Sequence, residues 1–366
     1  MTSSTRTVLA SLLAAGLLTT AAACGGSDES ADTTAVASTT STTTTTTAAP
    51  TTTAAPTTTA APTTTTTRPP RPPKPVYPLT GIGKPDKEIM KRPALVVKID
   101  NASGARPQTG FNSADIVYEE IVNDSLTRFA MVFHSQGSDP VGPIRSGRIQ
   151  DIDLFGSYQG PLFAWSGGNA TVTNAIRASD LIEIGPTRAY PAYFRSGSRS
   201  APHNLYSNTS ALWGYTPPEA SRPPQQFLYR AAGDRVQGEP SRGVAVTLDS
   251  IDVVWDWDPE ARLYRRTMEG STHQDAATGE QVTTDNVLVL VMQYAVGISG
   301  SPDAQSVGKG EAYVFSGGKY VVGTWTRKDR TTPFVLRDNK GRKILLTPGR
   351  TFVELPRTGY TLPLID

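Results

Sequence analysis

The chain has 366 residues, with 35 Lys and Arg against 33 Asp and Glu, and a single cysteine. A net charge of +2 over that length argues against a general nucleic-acid binder, and one cysteine excludes an internal disulfide. Beyond the N-terminus no stretch approaches the ~18 uninterrupted apolar residues that a membrane-spanning helix requires.

Arg6, the apolar run from Val8 to Leu18 and the small residues Thr19 to Ala23 lead to Cys24. Positive charge, a short apolar stretch and then small residues is the order of a secretory signal, because the apolar run is too short to cross a bilayer. A cysteine that cleavage would make the first residue resembles a bacterial lipoprotein signal, although Ala21 stands where that pattern prefers leucine. The expectation is a signal peptide over 1–23 and a diacylated Cys24 that holds the protein on the extracytoplasmic face of the cell membrane. Two acyl chains anchor firmly where one is marginal.

Residues 24–75 predict a disordered tether. Ser, Thr, Ala and Pro dominate, and Thr-Thr-Thr-Ala-Ala-Pro recurs with its prolines at Pro50, Pro56 and Pro62. Such a segment has too little apolar surface to offset the entropy of ordering. Spaced prolines stiffen it toward polyproline II, so that it reaches on the order of 150 Å at most.

The rest predicts an α+β protein. A mixed α/β domain over 76–216 is followed by a proline-rich linker, Pro217 to Pro224, and a mainly antiparallel β domain over 225–366. In the first half Ala94–Ile99, Asp115–Val122 and Arg128–Phe133 read as strands, rich in β-branched and aromatic residues. Gly147–Tyr158 spaces Ile149, Ile152, Leu154 and Phe155 for a helix, and Thr171–Ala178 is a second helix. In the second half Val244–Leu248, Ile251–Trp257, Val287–Tyr294, Tyr313–Phe315, Tyr320–Trp325, Phe334–Leu336, Ile344–Leu346 and Phe352–Leu355 read as strands. Hairpin turns fall at Gly317-Gly318 and at Asp338–Gly341.

Charged residues gather beside turn-formers in the first half: Tyr118-Glu119-Glu120, Thr127-Arg128-Phe129, the run Gly142 to Arg148, Asp151 with Asp153, and Arg199 followed by Ala201-Pro202-His203-Asn204-Leu205-Tyr206. With His273 and Asp275, Asn286-Val287, Gly323 with Trp325, and Pro348-Gly349, these segments in this order resemble the YerB-like family of bacterial lipoproteins, the DUF3048 family, over about residues 77–362. The resemblance implies an exported, lipid-anchored, two-domain protein. It supplies no catalytic residue.

The site must come from the residues themselves. On a helix start, Arg145 and Arg148 lie three apart on one face and make a fork for carboxylate or phosphate, beside free backbone N–H groups. The other reading pairs them internally with Asp151, Asp153, Glu119 or Glu120. Arg128, Arg199, His203 and Asn204 complete the candidate ligand-binding set. Ser166-Gly167-Gly168-Asn169 is a tight turn able to present backbone N–H groups. Glu120, Asp151, Asp153 and His203 are the candidate catalytic groups. On a strand Glu119 and Glu120 face opposite ways, while Asp151 and Asp153 share a face only if extended.

His134, His203 and His273 carry no zinc-type spacing, and no motif calls for a metal or a cofactor. A Ser–His–Asp triad from Ser146 or Ser166 with His203 lacks the Gly-x-Ser-x-Gly elbow. Trp255, Trp257, Tyr264, Tyr294, Tyr313 and Trp325 offer either a sugar-stacking face or core pairs.

The leading expectation is a noncatalytic binding or accessory module for cell-wall material or cell-wall machinery, with the Arg145, Arg148 and His203 region as the contact, and with the membrane through Cys24 and an anionic cell-wall ligand or envelope protein as partners. The competing ones are a hydrolase or transferase on an anionic envelope glycan, and a domain that binds protein partners only.

Overall fold

A computed structural model of the chain describes residues 74–123, 125–359 and 364–365. The expected signal peptide, Cys24 and the tether up to residue 73 lie outside the described residues.

The first half supplies strands β1 (Leu95–Asp100), β2 (Ile116–Asn123), β3 (Leu126–Phe133), β4 (Leu162–Ala164) and β5 (Ile182–Glu183). The second half supplies β6 (Gly243–Leu248), β7 (Ile251–Asp258), β8 (Leu263–Met268), β9 (Asn286–Leu290), β10 (Gly308–Ser316), β11 (Lys319–Arg327), β12 (Val335–Asp338) and β13 (Thr351–Leu355). Helices are few and short: α1 (Gln150–Phe155), α2 (Ala170–Ala178) and α3 (Thr209–Trp213). This is the α+β class that the sequence predicts.

One large sheet runs in the order β12-β11-β10-β9-β13-β2-β3-β1-β4-β5. It passes straight across the boundary at Pro217–Pro224. β13, from near the C-terminal end of the chain, lies between β9 and β2 and is parallel to both. Its residues are all buried, as a strand covered on both faces requires. The second half is therefore antiparallel apart from one parallel strand at the join. β4 is parallel to β1 and β5 to β4, so these three strands end at the same edge.

Period-two alternation sorts the side chains of this sheet. Leu95, Val97, Ile99, Val117, Phe129 and Met131 face a second sheet built on β6, β7 and β8, where they meet Val246, Val253 and Trp255. Val96, Tyr118, Ala130 and Val132 face the other way, onto Leu154 and Phe155 of α1 and Val172 and Ile176 of α2. Each such large apolar side chain, fully buried, stabilises the fold by about 1.5–3 kcal/mol. In α2 the buried pair Val172 and Ile176 is one turn apart, and Asn169 caps the start by accepting from the Val172 N–H at 2.9 Å.

The helix expected over Gly147–Tyr158 is shorter, and neither Arg145 nor Arg148 belongs to it. From Pro143 to Arg148 the backbone is extended, because its hydrogen bonds are taken from both sides. Arg145 N–H donates to the Lys98 carbonyl at 2.9 Å, and the Asp100 N–H to Pro143 at 3.0 Å. Arg145 accepts from the Ser166 N–H at 3.0 Å, and the Gly147 N–H donates to Gly167 at 3.1 Å. A helical turn here would forfeit all four. Gly142 opens the segment with φ +154°, and a Cβ there would lie 2.6 Å from the ring of Tyr206, so only glycine fits.

The Gly317-Gly318 hairpin forms with Ser316 opposite Lys319 and both glycines at positive φ. The Asp338–Gly341 turn also closes, but its return arm makes only isolated pairings, Lys343 with Arg337 and Leu346 with Tyr229. Among the described residues no helix is long and apolar enough to cross a membrane.

Candidate functional site

Polar side chains stand on both faces of the sheet, in two layers with different chemistry. Glu119 and Glu120 point to opposite faces, as a strand dictates. Glu119 joins a buried network under β8. It forms an ion pair with Arg266 and accepts from Thr127 Oγ1 at 2.6 Å and Asn101 Nδ2 at 3.2 Å. Arg266 Nη1 is 2.7 Å from His273 Nδ1, and His273 Nε2 is 3.0 Å from Gln108 Oε1. Glu354 of β13 stands beside Glu119 in register and accepts from Trp255 Nε1 at 2.9 Å.

Two carboxyls and one guanidinium share this dry space. Burial first, and then the negative charge of Glu119, raise the Glu354 carboxyl well above the ordinary range, against the pull of Arg266, whose Nε is 3.6 Å away, and so favour its neutral form. Glu354→Gln, a neutral near-isostere, is therefore expected to cost no more than about 1 kcal/mol in urea unfolding at pH 7. A loss of several kcal/mol would mean that Glu354 is ionised.

On the opposite face Lys98 is fully buried, in ion pairs with Glu120 and, at 2.8 Å, with Asp151 of α1. Gln150 donates to the other Glu120 oxygen, and Asp151 Oδ2 accepts from the Arg148 N–H at 2.6 Å. Burial pulls the Lys98 ammonium down to about 8 against the pull of Asp151. Glu120 and Asp151, expected as catalytic acids or bases, are thus buried structural partners of a lysine. Asp153 lies at the surface, 3.4 Å from Arg330.

Just beyond this triad, Arg128 of β3 lies across from Asp100 on one side and Glu120 on the other. Arg145 and Arg148 come down onto the same edge from the extended segment. Arg128 is 5% exposed, and Nη1 donates to the Ser146 carbonyl at 2.7 Å. Arg148 Nη1 donates to Gly147 at 3.2 Å. Arg145 Nε is 3.2 Å from Asp100 Oδ2, without hydrogen-bond geometry. The Nε of Arg128, Arg145 and Arg148 are all buried and unpartnered among the described residues. Of the three, only Arg145 forms an ion pair there.

The internal pairing of Arg145 and Arg148 with Asp151, Asp153, Glu119 or Glu120 does not occur, and Arg145 pairs internally with Asp100 instead. Lys98, Arg266 and Arg330 take the carboxylates named for it. Desolvation first, then repulsion from Arg148, pushes the Arg128 guanidinium down to about 9. Desolvation likewise lowers Arg148, with Arg145 adding to it. Arg128 is buried, and Arg145 and Arg148 are half-buried, with too little countercharge. Lys98 and the three arginines face Glu120, Asp151 and Asp100, which leaves one positive charge over.

A cavity of about 300 Å³ opens beside Arg148, lined by Ser146, Ser166, Gly168, Asn169 and Ser301. Ser166 to Asn169 is the turn from β4 into α2, so the N-terminus of α2 borders it. Asn169 Nδ2 donates to Ser299 Oγ at 3.3 Å, and the second half of the chain closes the rim. Parallel strand ends, a glycine turn and a helix start are where α/β sheets place anions.

His203 stands on the other side of Asp100. Its Nδ1 is 2.7 Å from Asp100 Oδ2, the oxygen that also faces Arg145, and its side chain is 27% exposed. Arg199 and Asn204 hold the loop that carries it. Arg199 donates to the Gly104, Arg106 and Pro107 carbonyls, and Asn204 accepts from Arg195 Nη1 at 2.6 Å.

The aromatic face is corrected by burial. Trp255, Tyr264 and Trp325 are in the core, with Trp325 Nε1 on the Val291 carbonyl, so they stack on no sugar. Sequence reasoning missed Asp100 and Lys98. The signal was present: Lys98 is the one charge inside an apolar run, and Asp100 ends the same strand.

The family models for "Protein of unknown function (DUF3048)", N-terminal and C-terminal domains, match residues 79–222 and 244–353. The chain is 26% identical over 292 residues to a Bacillus subtilis (strain 168) protein named "Putative lipoprotein YerB", spanning 76% of this chain and 85% of that one. Its fold is similar to that of the crystal structure of the YerB protein from Bacillus subtilis. The TM-score is 0.67 at 24% identity, covering 77% of this chain and 96% of that chain.

Proposed function

Because this chain belongs to the DUF3048 family, we propose that it works as a lipid-anchored envelope protein whose folded part binds anionic cell-wall material at the Arg128, Arg145 and Arg148 cluster. Cys24 is the anchor, on the extracytoplasmic face, and the Thr/Pro-rich segment is the spacer that lifts the site away from the membrane. The signal-like order of residues 1–24 supports this, as does the description of the Bacillus subtilis relative as a lipoprotein.

The observation that carries the binding reading is the surplus of guanidinium N–H groups. Arg128 is buried and Arg145 and Arg148 are half-buried, and the enclosed Nε atoms of all three have no hydrogen-bond partner among the described residues, which is costly unless an anion completes the cluster. The adjoining cavity has room for a phosphate or carboxylate group together with part of the sugar or polyol that bears it.

The test is calorimetric titration of the full-length protein, in detergent, with inorganic phosphate and glycerol phosphate at low salt. Binding is expected, weakening with salt. Arg148→Ala should weaken it about 10- to 100-fold, the range for one charge-assisted hydrogen bond, while the variant keeps its native melting behaviour. Absence of binding, or equal binding by the variant, would sink the reading and leave a protein partner as the occupant of this edge.

A further inference from the structure

The geometry points to a second use of the same edge: His203, held by Asp100, is a general base for transfer or hydrolysis of a phosphodiester bound on the three arginines. The inference rests on the anion-binding reading and adds chemistry to it.

Asp100 is 1% exposed by side chain, and one of its oxygens faces both His203 Nδ1 and Arg145 Nε. Its other oxygen accepts from the Ala102 N–H at 3.2 Å. A buried carboxylate on Nδ1 sets the imidazole tautomer with its proton on Nδ1, so that Nε2 carries the lone pair. No described protein group occupies Nε2, and it is not among the enclosed unpartnered atoms. Gly104 lies beside this edge of the ring, where a Cβ would come within 3.1 Å of Cδ2 and 3.6 Å of Nε2, so the glycine leaves the space next to Nε2 clear. The result is an oriented base open to solvent, one carboxylate away from a cation cluster. In the other two histidines of the chain the ring is buried.

Charge selects the substrate class. The cluster has one positive charge over, which a phosphodiester monoanion neutralises and a phosphomonoester dianion exceeds. The carboxylates first expected to act as acid or base are committed to Lys98 and Arg330, so the imidazole is the group with a free lone pair.

In the step, a water or sugar hydroxyl gives its proton to His203 Nε2 and its oxygen bonds to phosphorus. The P–O bond to the leaving alkoxide breaks. That alkoxide takes a proton from the solvent at this open edge, and the imidazolium, stabilised by Asp100, returns its own proton to solvent. The arginines hold the non-bridging oxygens throughout.

The experiment uses the full-length protein with bis(4-nitrophenyl) phosphate as probe. Glycerophosphoglycerol and phosphatidylglycerol vesicles serve as two further arms, separating a soluble polymer diester from a lipid headgroup. Turnover is expected, with His203→Gln lowering kcat at least ~100-fold and changing the affinity for inorganic phosphate less than threefold. Diethyl pyrocarbonate gives the same answer without a mutation. One accessible imidazole should be acylated, located at His203 by mass spectrometry, and turnover should stop while phosphate still binds.

Phosphate binding that depends on Arg148 without turnover of any diester overturns the inference and leaves the binding site standing. Turnover that survives the loss or acylation of His203 also overturns it. Phosphate binding that ignores Arg148 removes the site itself.

Discussion

Replacing Lys98 with methionine is expected to destabilise the protein by about 3–5 kcal/mol, the cost of leaving buried charges without their partner. Lys98, Glu120 and Asp151 have fully buried side chains. Without the ammonium, two carboxylates remain in a dry layer between β1, β2 and α1 with only Gln150 Nε2 and the Arg148 N–H to satisfy them. Both must then take up protons or draw in water. For a unit of this size the melting temperature should fall by roughly 10 °C, followed by tryptophan fluorescence, with a matching drop in urea midpoint. The triple variant Lys98→Met, Glu120→Gln, Asp151→Asn should recover most of the loss, because it removes the charges as well as their partner. A single-variant cost below about 1 kcal/mol would mean that the carboxylates are already neutral in the native protein. The Arg148 backbone hangs on Asp151, so the single variant should also weaken phosphate binding.

The second large effect is pH dependence carried by His134. Its ring is buried, both nitrogens lack hydrogen-bond partners among the described residues, and burial with the nearby Arg92 charge pushes its pKa down to about 4. Unfolded, it titrates at the usual ~6.5. Above that value both states are neutral and nothing is lost. As pH falls from 6.5 to 4, only the unfolded chain takes up the proton, so stability drops by about 3 kcal/mol over that window.

Asp115 works in the opposite sense. Desolvation raises its carboxyl to about 6, against hydrogen bonds from Ser135 and the His134 N–H. Its share of stability is complete below the unfolded value near 4 and is lost as pH rises through 6. The two nearly cancel between pH 4 and 6. Replacing His134 with phenylalanine should therefore stabilise the protein by about 3 kcal/mol more at pH 4 than at pH 7, relative to the parent. Equal effects at the two pH values would place water or a proton on the parent imidazole.

Much of the fold was legible where the pattern is local. The runs Ala94–Ile99, Asp115–Val122 and Arg128–Phe133 are strands within a residue or two, and Gly317-Gly318 is a hairpin turn, because strand and turn preferences act between near neighbours. The opposite facing of Glu119 and Glu120 follows from the strand period alone. The arginine cluster was legible as residues and illegible as geometry. Helical spacing of Arg145 and Arg148 is real, yet the backbone between Pro143 and Arg148 finds its hydrogen-bond partners at Lys98, Asp100, Ser166 and Gly167, and long-range bonds overrode the local pattern. Trp255 and Trp325 show the same limit, since an aromatic on a strand looks alike whether it faces core or solvent.

By itself, then, the sequence determined which stretches become strands, which carboxylate faces which side, and the export-like order ending at Cys24. Each of these depends on composition or spacing within a dozen or so residues. Only the tertiary structure decided that β13 enters between β9 and β2, that Lys98 rather than an arginine takes Glu120 and Asp151, and that Arg128, Arg145 and Arg148 share one edge where Arg145 and His203 meet the same oxygen of Asp100. Those outcomes depend on strand order and on contacts between residues far apart in the chain, where burial makes each charge choose one partner and leaves the others without.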